Sequence, residues 1–320
     1  MPETGDAQTM LRAERGEVVA TATADLVAPD RGDAEALWGA LRRHTLSVTG
    51  MAGPDDDRRA AFGEVLDLWM RRVTAAEVRG DEDSSCVLRL PSADTALVRP
   101  LLARGFAPVT IDAERRLTRP VLTGFDAERR LAPPVLTGLD AERRLAPPVL
   151  TGFDAEAAEH DLGEGALLRR AAASDLPALA AFDSRLLLHE AAFGAVSWRD
   201  GAEALLRDAL ARRFRAWSRW TWLVEQGGRS VGYVHAVAEH PDAPDPTSEA
   251  YLDAMYLSDD ARGSGLGRRV IDTVHALLAA DGAVLVRLDY SVANPLSGPF
   301  WSRAGYRPST TTWQRRPAVL

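Results

Sequence analysis

The sequence predicts an α/β protein made of two copies of one unit, each a mixed central β-sheet flanked by helices. Three observations carry this prediction. The second half reads β-α-α-β-β-β-α-β-α-β, an order that packs helices against a mixed sheet. Two segments, one starting at Ser85 and one at Ala283, register without a gap at a spacing of 200 residues, the distance from Gly105 to Gly305. A short repeat with a 14-residue period, the distance from Asp112 to Asp126, lies between them.

Element by element, the chain opens on an acidic, polar stretch that does not read as a secretory leader. In the first copy, "SCVLRLPSADTALVRPLLARGFAPVTIDAERRL" reads as strand, short helix, Gly-aromatic turn and strand. Its counterpart is "AVLVRLDYSVANPLSGPFWSRAGYRPSTTTWQRRP". Leu88 answers Leu288, Phe106 answers Tyr306, and Arg115-Arg116 answer Arg315-Arg316. The repeats "DAERRLAPPVLTG" carry Pro-Pro and Thr-Gly, which break helices and central strands, so they read as an extended linker. Their period is too short for a solenoid or propeller, whose repeats run about 20–50 residues. The expected boundaries are 1–118 for the first domain, 119–163 for the linker and 164–320 for the second domain.

Within the second domain, "GALLRRAA" is a strand and "SDLPALAAFDSRLLLHEAAF" a helix with a Ser N-cap. "DGAEALLRDALARRFRAW" has helical apolar spacing. A hairpin turns at Gly227-Gly228. "EAYLDAMYLSD" is a strand, "VIDTVHALLAADG" a helix closed by Gly282, and "AVLVRLDY" a buried strand.

Composition narrows the function. The net charge of -8 argues against a general nucleic-acid or anionic-membrane surface and suits a cationic small molecule. The single cysteine, Cys86, excludes an internal disulfide. No apolar run approaches the ~20 residues of a membrane span, so a cytoplasmic protein is expected. The six histidines show no ligand spacing, so no metal is expected. The chain has no lysine, which removes any phosphate loop that needs one.

The stretch Arg262-Gly263-Ser264-Gly265-Leu266-Gly267-Arg268 lies between a strand and a helix. Glycines permit close backbone approach, and a helix start offers unpaired N–H groups to a pyrophosphate. The spacing matches neither GxxxxGK[ST] nor GxGxxG. It matches R-x-x-G-x-G. One strand later stands Asn294-x-x-Ser297-x-x-Phe300-Trp301-x-x-x-Gly305-Tyr306. In that order, the two motifs resemble the GCN5-related N-acetyltransferase (GNAT) family, over 165–316.

The resemblance implies tandem GNAT-like domains and an acetyl-CoA-dependent N-acetyltransferase acting on a primary amine of a small molecule, less readily a peptide. Acetyl-CoA would be a co-substrate. Strand 251–257 would splay from its neighbour, with Tyr256 and Leu257 beside the coenzyme. Amides of 263–268 would hold the pyrophosphate, with Ser264, Arg262 and Arg268 near it and Asn294 and Trp301 on the far wall. A backbone N–H near Leu257 would stabilise the oxyanion. Many family members carry a tyrosine acid where this chain has Trp301, and an indole N–H is no acid. Tyr290 is the substitute candidate, against a purely structural role. Glu239 and Asp253 are both candidate bases. Trp217, Trp220 and Trp222 either wall the substrate pocket or lie in the core.

The first copy is expected not to bind coenzyme. Aligning "VLD" at Val65 with "VID" at Val270 places Ala60 and Phe62 where Gly265 and Gly267 stand, and Asp94 answers Asn294. The chain would be a monomer of two pseudo-symmetric domains, or a homodimer. A coenzyme-binding regulatory or scaffold protein without turnover is the competing reading.

Overall fold

The computed structural model describes residues 9–117, 155 and 157–320. The repeats fall almost wholly outside them. The N-terminal half runs β1 (Thr9–Arg15), β2 (Val18–Val27), β3 (Arg42–Gly50), α1 (Asp55–Ala76), β4 (Ser84–Pro91), α2 (Val98–Leu102) and β5 (Ala107–Arg116). The C-terminal half runs β6 (Glu159–Gly163), β7 (Ala166–Arg170), α3 (Leu176–Ala191), α4 (Ala202–Trp217), β8 (Thr221–Gln226), β9 (Arg229–Ala238) and β10 (Glu249–Leu257). It continues with α5 (Leu266–Ala280), β11 (Leu285–Ser291), α6 (Ser297–Arg303) and β12 (Arg307–Arg315). Strand β6 lies inside the segment expected as linker, so the ordered C-terminal half begins before residue 164. The helix expected to start on a Ser N-cap instead follows a short turn in which Asp175 accepts the Ala172 N–H at 2.8 Å.

All twelve strands form one mixed sheet, in the order β1-β2-β3-β4-β12-β5-β11-β10-β9-β8-β7-β6. Its centre is exchanged. The last strand of each half does not pair with its own half's preceding strand: β12 pairs β4, and β5 pairs β11. The 200-residue spacing read from the sequence is the register of this exchange. Leu285 faces Arg116; shifted by 200, the pair becomes Ser85 opposite Arg316, one step along the ladder where Arg315 faces Cys86. In the β5–β12 ladder, Arg307–Glu114 becomes Gln314–Ala107, which is also observed. Thr311 faces Ile111, a pair that maps onto itself, so a pseudo-two-fold axis passes between them.

The side-chain alternation of β4, β12, β5 and β11 puts α1 and α5 on the same side of the sheet. Leu88 and Trp313 pack under α1 with Phe62 and Trp69; Leu288 and Ala113 pack under α5 with Val270 and Val274. Two arginines carry the symmetry across the seam. Arg115 of β5 donates to the Ala304 carbonyl (2.5 Å) and to His275 Nδ1 on α5 (2.9 Å). Arg315 of β12 reaches Met70 on α1, at 3.6 Å from Sδ. His275 is buried, held well below its usual pKa by burial, and its Nε2–H donates to the Tyr306 hydroxyl at 2.8 Å.

The opposite side of the sheet is covered unequally. Helices α3 and α4 pack Phe182, Leu210 and Phe214 onto Leu223, Tyr233 and Ala254. In the N-terminal half, the chain between β2 and β3 holds only one short 3-10 turn, Ala34–Leu37. Trp220 and Trp222 are fully buried in the core, and the Trp220 indole donates to Asp281 at 2.6 Å. They are core, not pocket walls.

Candidate active site

Strands β10 and β11 run parallel but pair only over 249–251 against 285–287. Past Tyr251 they diverge, and a cavity of about 910 Å³ opens between Leu252–Leu257 and Leu288–Ser291. Strand β10 stays paired to β9 on its other edge, with an irregularity at Asp253. The Ser258 N–H donates to Val231 at 2.8 Å. By antiparallel alternation, Tyr256 and Ala254 face β9, while the backbone groups of Met255 and Leu257 point into the opening. The Leu257 carbonyl is taken by Arg262 Nε at 2.8 Å, leaving the Leu257 N–H for a ligand.

The glycine stretch sits at the mouth of this opening. Gly263 has φ +86° and Gly265, the N-cap of α5, has φ +81°, both in the region an L side chain avoids. Among the described residues, no acceptor takes the N–H groups of 263–267; the first backbone bonds of the turn are from Arg268 and Arg269 to the Gly265 carbonyl. Gly267 serves packing: a Cβ there would lie 3.4 Å from Leu257 Cδ1 and 3.4 Å from Phe300 Cε2. These unpaired backbone amides cluster at the positive end of a 15-residue helix, an arrangement suited to a polyanion.

The arginines around it are differently employed. Arg262 is bound to Asp259 (2.8 Å) and lies over the Tyr256 ring. Arg268 is bound to Asp272 (2.6 Å) and to the Arg303 carbonyl (2.6 Å). Both brace the loop. Arg303 lines the same cavity and has no ion pair among the described residues. Ser264 is not on the wall; its carbonyl accepts from Arg269 at 3.2 Å. Asn294, buried, donates to Glu190 (2.8 Å) and accepts the Leu296 N–H (3.0 Å), fixing the turn into α6. Trp301 packs edge-on against Phe300 and Tyr306. Tyr290 stands on the α6 side of the opening, beside Gly298, its phenol pushed up by burial.

Of the two candidate bases, the cavity takes one. Glu239 lies at the paired end of β10, where its N–H bonds Glu249 and its carboxylate is 4.0 Å from Arg287. It does not line the cavity: a hairpin end in sequence is here the closed end of the splay. Asp253 does line it. Its carboxylate accepts from Arg213 Nη1 at 2.6 Å, and burial raises its pKa from the ordinary aspartate value. Arg213 also reaches Asp183 at 3.4 Å, and Asp183 accepts the Tyr233 hydroxyl at 2.5 Å. One guanidinium thus serves two enclosed carboxylates. Next to them His235 is fully buried, bonded to Thr221 at 2.8 Å and pushed down to about 3 by burial, so it is neutral.

Sequence reading missed Asp183, Glu190, Arg213 and Asp289. Asp183 left a signal, a lone carboxylate within the apolar run "LAAFDSRLLL". Arg213 left none among its neighbouring arginines. The N-terminal half also enters: Trp38, Arg43 and Val87 close one wall. Its own glycine turn is gone. Helix α1 starts at Asp55, so the residues answering 262–267, numbers 57–62, are already helical. Phe62 is in the core, Asp94 is paired with Arg58, and Asp55, Asp56 and Asp57 occupy the first turn, where they repel a polyanion.

Residues 186–306 match the model of the acetyltransferase (GNAT) family. Among solved structures, the chain is similar to a GCN5-related N-acetyltransferase from Sphaerobacter thermophilus, at 16% identity over 95% of this chain and 84% of that one, with a TM-score of 0.53. It is also similar to a GCN5-related N-acetyltransferase from Kribbella flavida, at 14% identity over 97% and 90%, with a TM-score of 0.45. At these identities the likeness is one of fold. No curated protein matches. No helix among the described residues is long and apolar enough to cross a membrane.

Proposed function

We propose that the protein is an acetyl-CoA-dependent N-acetyltransferase acting on a primary amine of a small molecule, a reading supported by the match of residues 186–306 to the acetyltransferase (GNAT) family model. The observation that carries this reading is the opening between β10 and β11, which joins a cradle of free amides at one end to a buried carboxylate, Asp253, at the other.

Acetyl-CoA supplies an acyl group activated as a thioester. The residues of this chain do the rest. The amides of 263–267, with Arg303, hold the pyrophosphate. The outward N–H and carbonyl of Met255 donate and accept hydrogen bonds along the pantetheine arm. The Leu257 N–H is placed to stabilise negative charge on the carbonyl oxygen, since it has no partner to release first. The amine arrives as an ammonium; Asp253 takes its proton, and the freed lone pair forms the C–N bond as the C–S bond breaks. Burial suits Asp253 to this task by raising its affinity for a proton. The second proton lost from the nitrogen as the amide forms goes to the thiolate, relayed by Tyr290 or water, so that coenzyme leaves as a thiol.

Consumption of the thioester in the presence of a panel of primary amines tests the proposal. Asp253→Asn is expected to lower kcat by about 10²–10⁴, the usual contribution of a general base, with acetyl-CoA affinity retained. A variant within threefold of the parent would remove Asp253 from the mechanism, and no thioester consumption with any amine would remove the function.

A further inference from the structure

The acceptor wall of the cavity carries more negative charge than it neutralises. Four carboxylates stand on it: Asp183, Glu190, Asp253 and Asp289. Arg213 serves two of them. Glu190 is bonded to the neutral amide of Asn294, and Asp289 to the neutral hydroxyl of Tyr251. The remaining bases of this wall are engaged elsewhere: Arg43 binds Glu35 and the Trp38 carbonyl, each at 2.6 Å, and His189 lies against the Phe193 ring. Asp289 lines the cavity and is exposed. Desolvation by the surrounding protein holds all four carboxyls above their ordinary pKa.

A second, independent feature lies two residues along β11, on the same face as Asp289. Ser291 lines the cavity, is 2% exposed, and its hydroxyl has no partner among the described residues. A buried hydroxyl left unpaired on a cavity wall is satisfied by what enters the cavity. The same cavity is also lined by hydrocarbon, including Leu186, Leu187 and Val196.

We propose that the acceptor is an aliphatic amine with at least two cationic nitrogens, one reacting beside Asp253 while the other, still protonated, is held by Asp289 and Ser291. This rests on the reading of the site as an amine acetyltransferase. A monoamine would leave Asp289 uncompensated; a diamine or polyamine neutralises both positions and lays its methylenes along the apolar lining. The nitrogen at Asp289 keeps its proton because its neighbour is an anion with no arginine in contact.

The test is calorimetric titration of the full chain, without coenzyme, with 1,4-diaminobutane, spermidine and 1-aminobutane. The diamine and triamine are expected to bind at least about tenfold tighter than the monoamine, the size of one hydrogen bond to a charged group. Asp289→Asn should bring that ratio to near one, and Ser291→Ala should lower diamine affinity about tenfold, as loss of one hydrogen bond to a charged group does. Acetyl-CoA binding measured on each variant reports that it is folded. Equal binding of monoamine and diamine, no binding of either, or an unchanged ratio in both variants would overturn the proposal. The two readings fail differently. Diamine binding without thioester consumption would sink acetyl transfer and leave the cation site; thioester consumption with no preference for diamines would do the reverse.

Discussion

At the scale of single residues, the site turns on Arg213, which holds Asp183 and Asp253 from one helix position. Removing it leaves two enclosed carboxylates without a cation, a change that costs about 3–5 kcal/mol. Arg213→Met is therefore expected to lower the melting temperature and to push the Asp253 pKa higher still. A base works only when deprotonated, so the acid limb of kcat/KM should move to higher pH in this variant; an unmoved limb would separate Asp253 from the proton transfer. The sign for stability is opposite. Asp289 has its carboxyl raised by burial, so its contribution to stability is greatest when protonated and is lost as pH rises through the folded-state value. Asp289→Asn should accordingly be more stable than the parent at pH 8, with the gap closing as pH falls toward the carboxylate range, as read from paired thermal melts. Residues whose chemistry is local were legible in the sequence: the glycines announce their own backbone geometry. Arg213 and Asp289 were not, because a charge on a helix or strand carries no mark of what tertiary packing will set against it; Asp183 showed only as a carboxylate within an apolar run.

At the scale of elements, the opening depends on β9 holding β10 in place while β11 departs. Gly232 makes this possible. A Cβ there would lie 2.2 Å from the Tyr256 carbonyl oxygen, a backbone atom that cannot move aside without breaking the ladder. Gly232→Ala is expected to destabilise by at least about 1–3 kcal/mol, as overpacking does, and to weaken coenzyme binding together with stability. Gly265→Ala acts differently: its Cβ meets only the end of Arg269, but its φ of +81° costs about 1–2 kcal/mol for an L side chain, so stability should fall before fit does. The hairpin at Gly227-Gly228, the helix after the glycine stretch and the last strands were all readable from period and punctuation. Strand β6 was not, because "EHDLG" is five residues of mixed polarity whose pairing to β7 only the fold supplies.

At the scale of the whole molecule, the sequence shows two related copies, but not that they exchange their last strands. Register is set by partners far along the chain, and a 200-residue spacing says only that the strands are alike. The consequence is that neither half closes its own sheet: β11 needs β5, and β4 needs β12. A fragment of residues 155–320 made alone is expected to lack cooperative unfolding as a monomer, and to recover it when produced with residues 1–117; gel filtration and thermal melts decide this. A cooperative monomer from 155–320 alone would contradict the exchanged sheet. The same asymmetry of roles leads to the central claim, that one half binds coenzyme and the other shapes the acceptor wall with Trp38 and Val87. The most direct measurement is calorimetric titration of the full chain with acetyl-CoA, beside Gly265→Glu, which places a side chain and a negative charge in the amide cradle. One site per chain, lost in the variant, is the predicted result. Two sites per chain, no binding, or binding indifferent to the substitution would contradict it.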